Sequence, residues 1–356
     1  MKANVVGCLL IVSIAIGAGP VPLSAATWVN VTGNLANMAS ECGNLTLLSA
    51  VPGSNTVIAG IALDGLWANS AGTTWAHLGS GAGSDTITNR PFWIVYDPVH
   101  AGVFWEAGIY NGGGVYQTID NGVTFQRLGS ISHNDYVSVD FSDPNRQTLL
   151  AGGHEQSQTV YRSTDGGKTW TNIGVNIPAD TKFSTSPVII DAQTYVVNLS
   201  GYAGSVAGIL RTTNGGASWQ QVSTLEPGGA PPLVTSNGTI YWSYWNSLLK
   251  STDSGSTWSQ VGSNLQPVRP VELPDGRLLS LGATSLVISA DAGSTWTPIG
   301  DALPFTPAGV IYSPGRKAVF VWRWDCGGVV LPDAIMRLDV DFVGLAAPTG
   351  LRIKLD

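Results

Sequence analysis

Six turns of one pattern, the first of them degenerate, recur along the chain. Each has a hydroxyl residue, Asp or Asn two places on, Gly two further and an aromatic ring three after that. The full copies start at Thr118, Ser163, Thr212, Ser251 and Ser289 and end at Phe125, Trp170, Trp219, Trp258 and Trp296. The degenerate copy, Ala68 to Trp75, keeps Gly72, Thr74 and Trp75 but has Ser70 where the acid belongs. From Trp75 onward the ring-to-ring intervals are 50, 45, 49, 39 and 38 residues. A period near 45 with several short strands per unit is the mark of a β-propeller.

Each turn lies between β-type runs, such as Thr159-Val160-Tyr161-Arg162 before and Thr169-Trp170-Thr171-Asn172-Ile173 after. Asp and Ser oxygens satisfy backbone N–H groups in such a turn, and Gly supplies the positive φ. The ring that comes next is too large to be left in water at every copy, so it is expected to pack between neighbouring sheets. These Asp residues therefore read as structural.

The pattern resembles the Asp-box, or bacterial neuraminidase, repeat found in sialidases, xyloglucan-degrading enzymes, sortilin-type receptors and a photosystem assembly factor. The resemblance implies an all-β propeller and speaks to fold rather than to activity. Thr27-Trp28-Val29-Asn30-Val31 copies the strand after each turn, and three strand-like runs (309–313, 317–324 and 334–342) come after the last one. The expected assembly is a seven-bladed propeller whose N-terminal strand completes the last blade, which removes open sheet edges. A six-bladed ring is the alternative.

Residues 1–26 read as a secretory signal: Lys2, an apolar run from Val5 to Ile16, and Ser24-Ala25-Ala26 as a small-residue cleavage site. The run is too short to span a bilayer. Residues 27–356 then form a single propeller domain, expected to be secreted or periplasmic and monomeric, without a membrane anchor. Charged residues make up 12% of the chain and the net charge is −7, which argues against nucleic acid as a partner. Two cysteines survive processing. In the seven-blade scheme Cys42 and Cys326 fall in loops of one face, and an oxidising compartment makes a disulfide between them the expected state.

In Asp-box enzymes, the resemblance implies, the working face lies opposite the Asp-boxes. That sets aside His100, on the Asp-box face, and His77, on an outer strand. The opposite face gathers His133, His154, Glu155 and Arg90 as candidate catalytic residues. Glu106, Tyr110, Tyr202, Trp245, Arg269 and Arg323 are candidate substrate contacts. Imidazoles beside a carboxylate and a guanidinium form an acid/base constellation, and His133 and His154 should be neighbours. An arginine of this set can also clamp a carboxylate through two parallel hydrogen bonds.

The Phe/Tyr-Arg-Ile-Pro motif of ordinary sialidases is absent, since Asn89-Arg90-Pro91-Phe92 has another arrangement. The xyloglucanases use two propellers and this chain has one, so their mechanism does not transfer residue by residue. Other secreted propellers with His and Arg on the working face cleave uronate polysaccharides by elimination, an analogy of fold and residue type. The reading is a carbohydrate-active enzyme that cleaves glycosidic bonds of a polysaccharide or glycan, by hydrolysis or elimination. The alternative is a non-catalytic propeller that binds a glycan or a protein. The sequence shows no metal-ligand spacing and no cofactor motif; a structural calcium in the central channel is the one ion considered.

Overall fold

The computed structural model describes residues 27–179, 183–184, 186–200 and 206–342. The expected signal segment and Tyr202 lie outside them. Seven antiparallel blades form a ring, which makes the chain a seven-bladed β-propeller; Phe183–Ser184 joins blades 3 and 4 into one sheet. Blade 1 runs Leu45–Ala50, Val57–Ile61, Gly65–Asn69, Ala76–His77. Blade 2 runs Arg90–Tyr96, Phe104–Ile109, Val115–Thr118, Gln126–Arg127. Blade 3 runs Asn134–Val139, Leu149–Gly153, Val160–Ser163, Thr171–Asn172. Blades 4 to 6 repeat the plan as far as Thr297–Ala302. Blade 7 takes Gly309–Ser313, Ala318–Trp322 and Ile335–Asp339 from the end of the chain and Val29–Asn30 from its start. Val29 pairs with Arg337 and Asn30 with Met336. Closure protects the strand edges that would otherwise be left open. No helix among the described residues is long and apolar enough to cross a membrane.

The core is divided rather than central. Alternation along each strand sends side chains to both faces of a blade, and both faces are covered by neighbouring blades. Each of the seven blade interfaces accordingly holds its own apolar cluster. Leu45, Val57 and Phe320 meet between blades 7 and 1, and Trp105, Val137 and Leu149 between blades 2 and 3. The repeat turns do what their composition predicts. In the copy at Ser163, the Asp165 carboxylate accepts from the Thr169 N–H at 2.9 Å and its hydroxyl at 2.6 Å, and Ser163 Oγ accepts from the Gly167 N–H at 2.8 Å. The copies at Thr118, Thr212, Ser251 and Ser289 repeat this network, with Asn214 in the acid's place once. Trp75 and Phe125 are fully buried; Trp170 and Trp219 are half-buried and donate their indole N–H to Leu128 O and Ile173 O of the preceding blade.

Three inner strands share one irregularity. Where the strand leaves the inter-blade connection, its register slips at Thr46 in blade 1, at Phe92 in blade 2, and at Asp135-Tyr136 in blade 3. Such bulges interrupt the two-residue alternation and re-aim side chains.

Candidate functional site

The connections between blades, and the turns joining second to third strands, emerge on the face away from the Asp-boxes. A pocket of about 460 Å³ opens there, bounded by blades 2, 3 and 4 and by Trp324 of blade 7. Its polar wall is built by three elements. The second-to-third turn of blade 2 contributes Tyr110, the corresponding turn of blade 3 contributes His154 and Glu155, and the blade 3 bulge contributes Asp135.

These groups form a chain of hydrogen bonds. His154 Nδ1 lies 2.8 Å from Asp135 Oδ1, and His154 Nε2 lies 2.9 Å from Tyr110 Oη. Asp135 is acceptor-only when ionised, so it fixes the proton of neutral His154 on Nδ1 and leaves Nε2 to accept from the phenol. Glu155 Oε1 stands at the mouth, 3.4 Å from Tyr110 Oη and 3.7 Å from His154 Nε2. Arg90 lies over the Tyr110 ring, 4.9 Å from its centroid, and is held from behind by Glu41 at 3.5 Å.

The electrostatics follow from this arrangement. Burial alone would lower the His154 pKa, but the hydrogen bond and charge of Asp135, together with Glu155, outweigh it and hold the imidazole above its ordinary value. Burial raises the Asp135 carboxyl above the usual range, with the His154 contact pulling the other way. The two therefore behave as a coupled pair. Burial and then the charge of Glu155 raise the Tyr110 pKa, against Arg90, so the phenol keeps its proton at neutral pH.

The turns that carry the site are strained. Tyr110, Asn111, His133 and Glu155 have φ of 58°, 46°, 57° and 52°, the left-handed region that non-glycine residues seldom occupy. Strain of this kind collects at functional sites, where the surrounding structure holds it in place.

The candidates from sequence among the described residues divide into four groups. His154, Glu155, Arg90 and Tyr110 line the pocket together. His133 flanks it, its ring 5.4 Å from Tyr110 and 6.5 Å from His154, and its carbonyl accepts from the His154 N–H at 2.7 Å. Arg269 lines the central channel instead, stacked on Trp93 at 4.9 Å. The remaining three are placed elsewhere. Glu106 is wholly buried within blade 2, against Asn89, where desolvation pushes its carboxyl to about 8. Arg323 pairs with Asp333 and stacks on Phe305. Trp245 stands exposed on the second-to-third turn of blade 5, apart from the pocket lining.

Two acidic residues of the pocket were not candidates from sequence. Asp135 sits in a run, Asn134–Val139, that reads as inner strand, and only the bulge turns its carboxylate toward His154. Glu226 enters from the connection between blades 4 and 5. His100 binds Asp97 on the opposite face and His77 lies against Trp67 on an outer strand, both as expected. Cys42 and Cys326 are disulfide-bonded, 284 residues apart. The bridge sits behind the pocket rim, where Gly43 N–H donates to Asp325 O and Gly43 packs between Arg90 and Trp324. Among the described residues no group of three or more His, Cys, Asp or Glu is placed to hold a metal.

Fold and turn chemistry together define the class: an Asp-box β-propeller of seven blades. The BNR/Asp-box repeat model matches residues 161–172. Beyond that class the chain is similar to a xyloglucanase of Hypocrea jecorina (strain QM6a), 24% identical over 210 residues, covering 47% of this chain and 25% of that protein. A xyloglucanase of a Paenibacillus species is also 24% identical, over 211 residues, covering 47% and 20%. The chain thus aligns with about a quarter or less of these relatives' length. Among solved structures, the GH74 enzyme of Niastella koreensis superposes with a TM-score of 0.59 at 16% identity, over 88% of this chain and 54% of that one. YCF48 bound to D1 peptide superposes at 0.55 and 16%, over 90% and 99%. The extracellular domain of a hybrid two component system from B. thetaiotaomicron superposes at 0.61 and 12%, over 88% and 42%. At these identities the structural likeness establishes the propeller fold alone.

Proposed function

We propose that the protein is an extracellular enzyme that cleaves glycosidic bonds in a polysaccharide, with Tyr110, backed by His154 and Asp135, as its proton-transfer group. The observation that carries this is the hydrogen-bonded line from Asp135 through His154 to Tyr110, ending at an open pocket beside a second carboxylate. A phenol that keeps its proton at neutral pH is suited to give that proton to the leaving glycosidic oxygen. Once the leaving sugar has departed, water enters from the same side and gives its proton to Glu155, which passes it to the Tyr110 phenolate 3.4 Å away. The water supplies the hydroxyl to the anomeric carbon, so the step consumes water and needs no cofactor. His154, whose tautomer Asp135 fixes, accepts from the phenol at rest and so orients its hydroxyl. Trp324 on the pocket wall offers an indole face to a sugar ring. The similarity to xyloglucanases and the extracellular neighbour support a glycan substrate and an extracellular location.

One observation favours elimination as a second reading. Arg269, in the channel beside the pocket, is a cation suited to neutralise a uronate carboxylate while a base removes the neighbouring proton. Incubation with a panel of neutral and acidic polysaccharides tests both readings. Hydrolysis gives new reducing ends without ultraviolet absorbance, elimination gives unsaturated products that absorb, and His154→Ala abolishes either. Binding of a glycan without any product contradicts the proposal and leaves a binding module.

A further inference from the structure

The central channel is a second cavity, of about 500 Å³, and it shares Phe92, Gly229 and Trp324 with the pocket that holds Tyr110 and His154. Its lining differs in one respect: it contains no Asp or Glu, and its single charged residue is Arg269. Arg269 is half-buried and has no carboxylate within ion-pair distance among the described residues. Its Nε–H donates to the Pro232 carbonyl at 3.1 Å, which orients the guanidinium and leaves its terminal N–H groups uncommitted among the described residues. Two indole nitrogens lie behind the lining, out of reach of the cavity. The indole N–H groups of Trp93 and Trp322 are buried and have no acceptor among the described residues. Trp322 itself is 8% exposed, and its ring covers Gly309 so closely that a Cβ there would lie 2.2 Å away.

A cavity with one unpaired guanidinium and no acid lacks a counterpart. A buried donor left without an acceptor costs free energy, and an ionic acceptor satisfies donors best. We infer that the central channel is an anion-binding subsite, in which Arg269 takes a carboxylate or sulfate group carried by the glycan. This rests on the reading of the ligand as a glycan and narrows its class to acidic polysaccharides. Because the channel adjoins the pocket, an anionic substituent there places the neighbouring linkage toward Tyr110 and Glu155. Asp135, Glu155 and Glu226 line the pocket together with Arg90, whereas the channel has Arg269 and no acid.

Titration with sodium glucuronate, sodium sulfate and uncharged glucose, followed by the fluorescence of the channel tryptophans, tests the inference without any turnover. Saturable binding of at least one of the two anions, at or below about 10 mM and without response to glucose, is expected for the native protein. Whichever of glucuronate and sulfate binds more tightly identifies the group. Arg269→Gln should weaken that binding about tenfold or more. If Arg269→Gln does not fold, Arg269→Lys serves, with an intermediate loss expected because the fork is gone while the charge remains. Equal affinity in native protein and Arg269 variant, or equal response to glucose, overturns the inference. His154→Ala should bind the anion as the native protein does, so a failed cleavage assay and a failed anion site are separate results.

Discussion

Asp135 and His154 act at the scale of single atoms, and their pairing has a direction that can be checked. His154 is held above its ordinary pKa, so its neutral form, which accepts from Tyr110, predominates only above that raised value. The acid limb of the pH–rate profile is therefore expected above 6.5, the ordinary histidine value. Asp135→Asn removes the negative partner, and the limb should move to lower pH while the rate falls; an unmoved limb in that variant would detach Asp135 from His154. Much of this was legible from residue types alone. Few histidines exist, and two of them had to converge on one face once the repeats were phased. Asp135 was not legible, because its run reads as alternating strand and the extra residue shows only in the paired register. Glu106 misled for the opposite reason. A charged residue in a strand leading to a glycine-rich turn reads as a rim group, whereas alternation sends it inward beside Asn89.

Blades and turns were the most legible elements, because Asp-box chemistry is local. The carboxylates of Asp165 and Asp291 are drawn down to about 2, by the Thr169 hydroxyl and then its N–H in the first case and by the Thr295 N–H and then its hydroxyl in the second. A carboxylate with a lowered folded pKa contributes stability that is complete above its unfolded value near 4 and is lost as pH falls toward about 2. Acid unfolding should therefore set in between about pH 4 and 2, and Asp165→Asn together with Asp291→Asn should flatten that dependence in a urea titration series. The blade interfaces carry the larger stabilisation. Trp242 is fully buried between blades 4 and 5, 5.9 Å from Trp258, with its N–H on Ala230 O. Trp242→Ala is expected to cost about 3–5 kcal/mol by chemical denaturation, and a loss under about 1 kcal/mol would show that this interface is loosely packed. The bulges at Thr46, Phe92 and Asp135-Tyr136 could not be read from sequence, since a bulge is a property of two strands and not of one.

Closure is the property of the whole ring, and it was legible because the first strand repeats the motif of the last strand of every blade. The Cys42–Cys326 bridge reinforces it across nearly the whole chain, worth about 5 kcal/mol in the chain-entropy description. Cys42→Ser should lower the thermal midpoint and, because the bridge backs the rim that holds Arg90 and Trp324, should also weaken glycan binding. Unchanged stability in that variant would mean that the paired strands of blade 7 suffice for closure. The central claim concerns Tyr110, the proposed proton donor, and the most direct measurement is the turnover of Tyr110→Phe on whichever polysaccharide the native protein cleaves. The ring is kept and only the hydroxyl is lost, so kcat should fall by about 10²–10⁴ with KM little changed. A Tyr110→Phe protein that cleaves at the native rate would contradict the account.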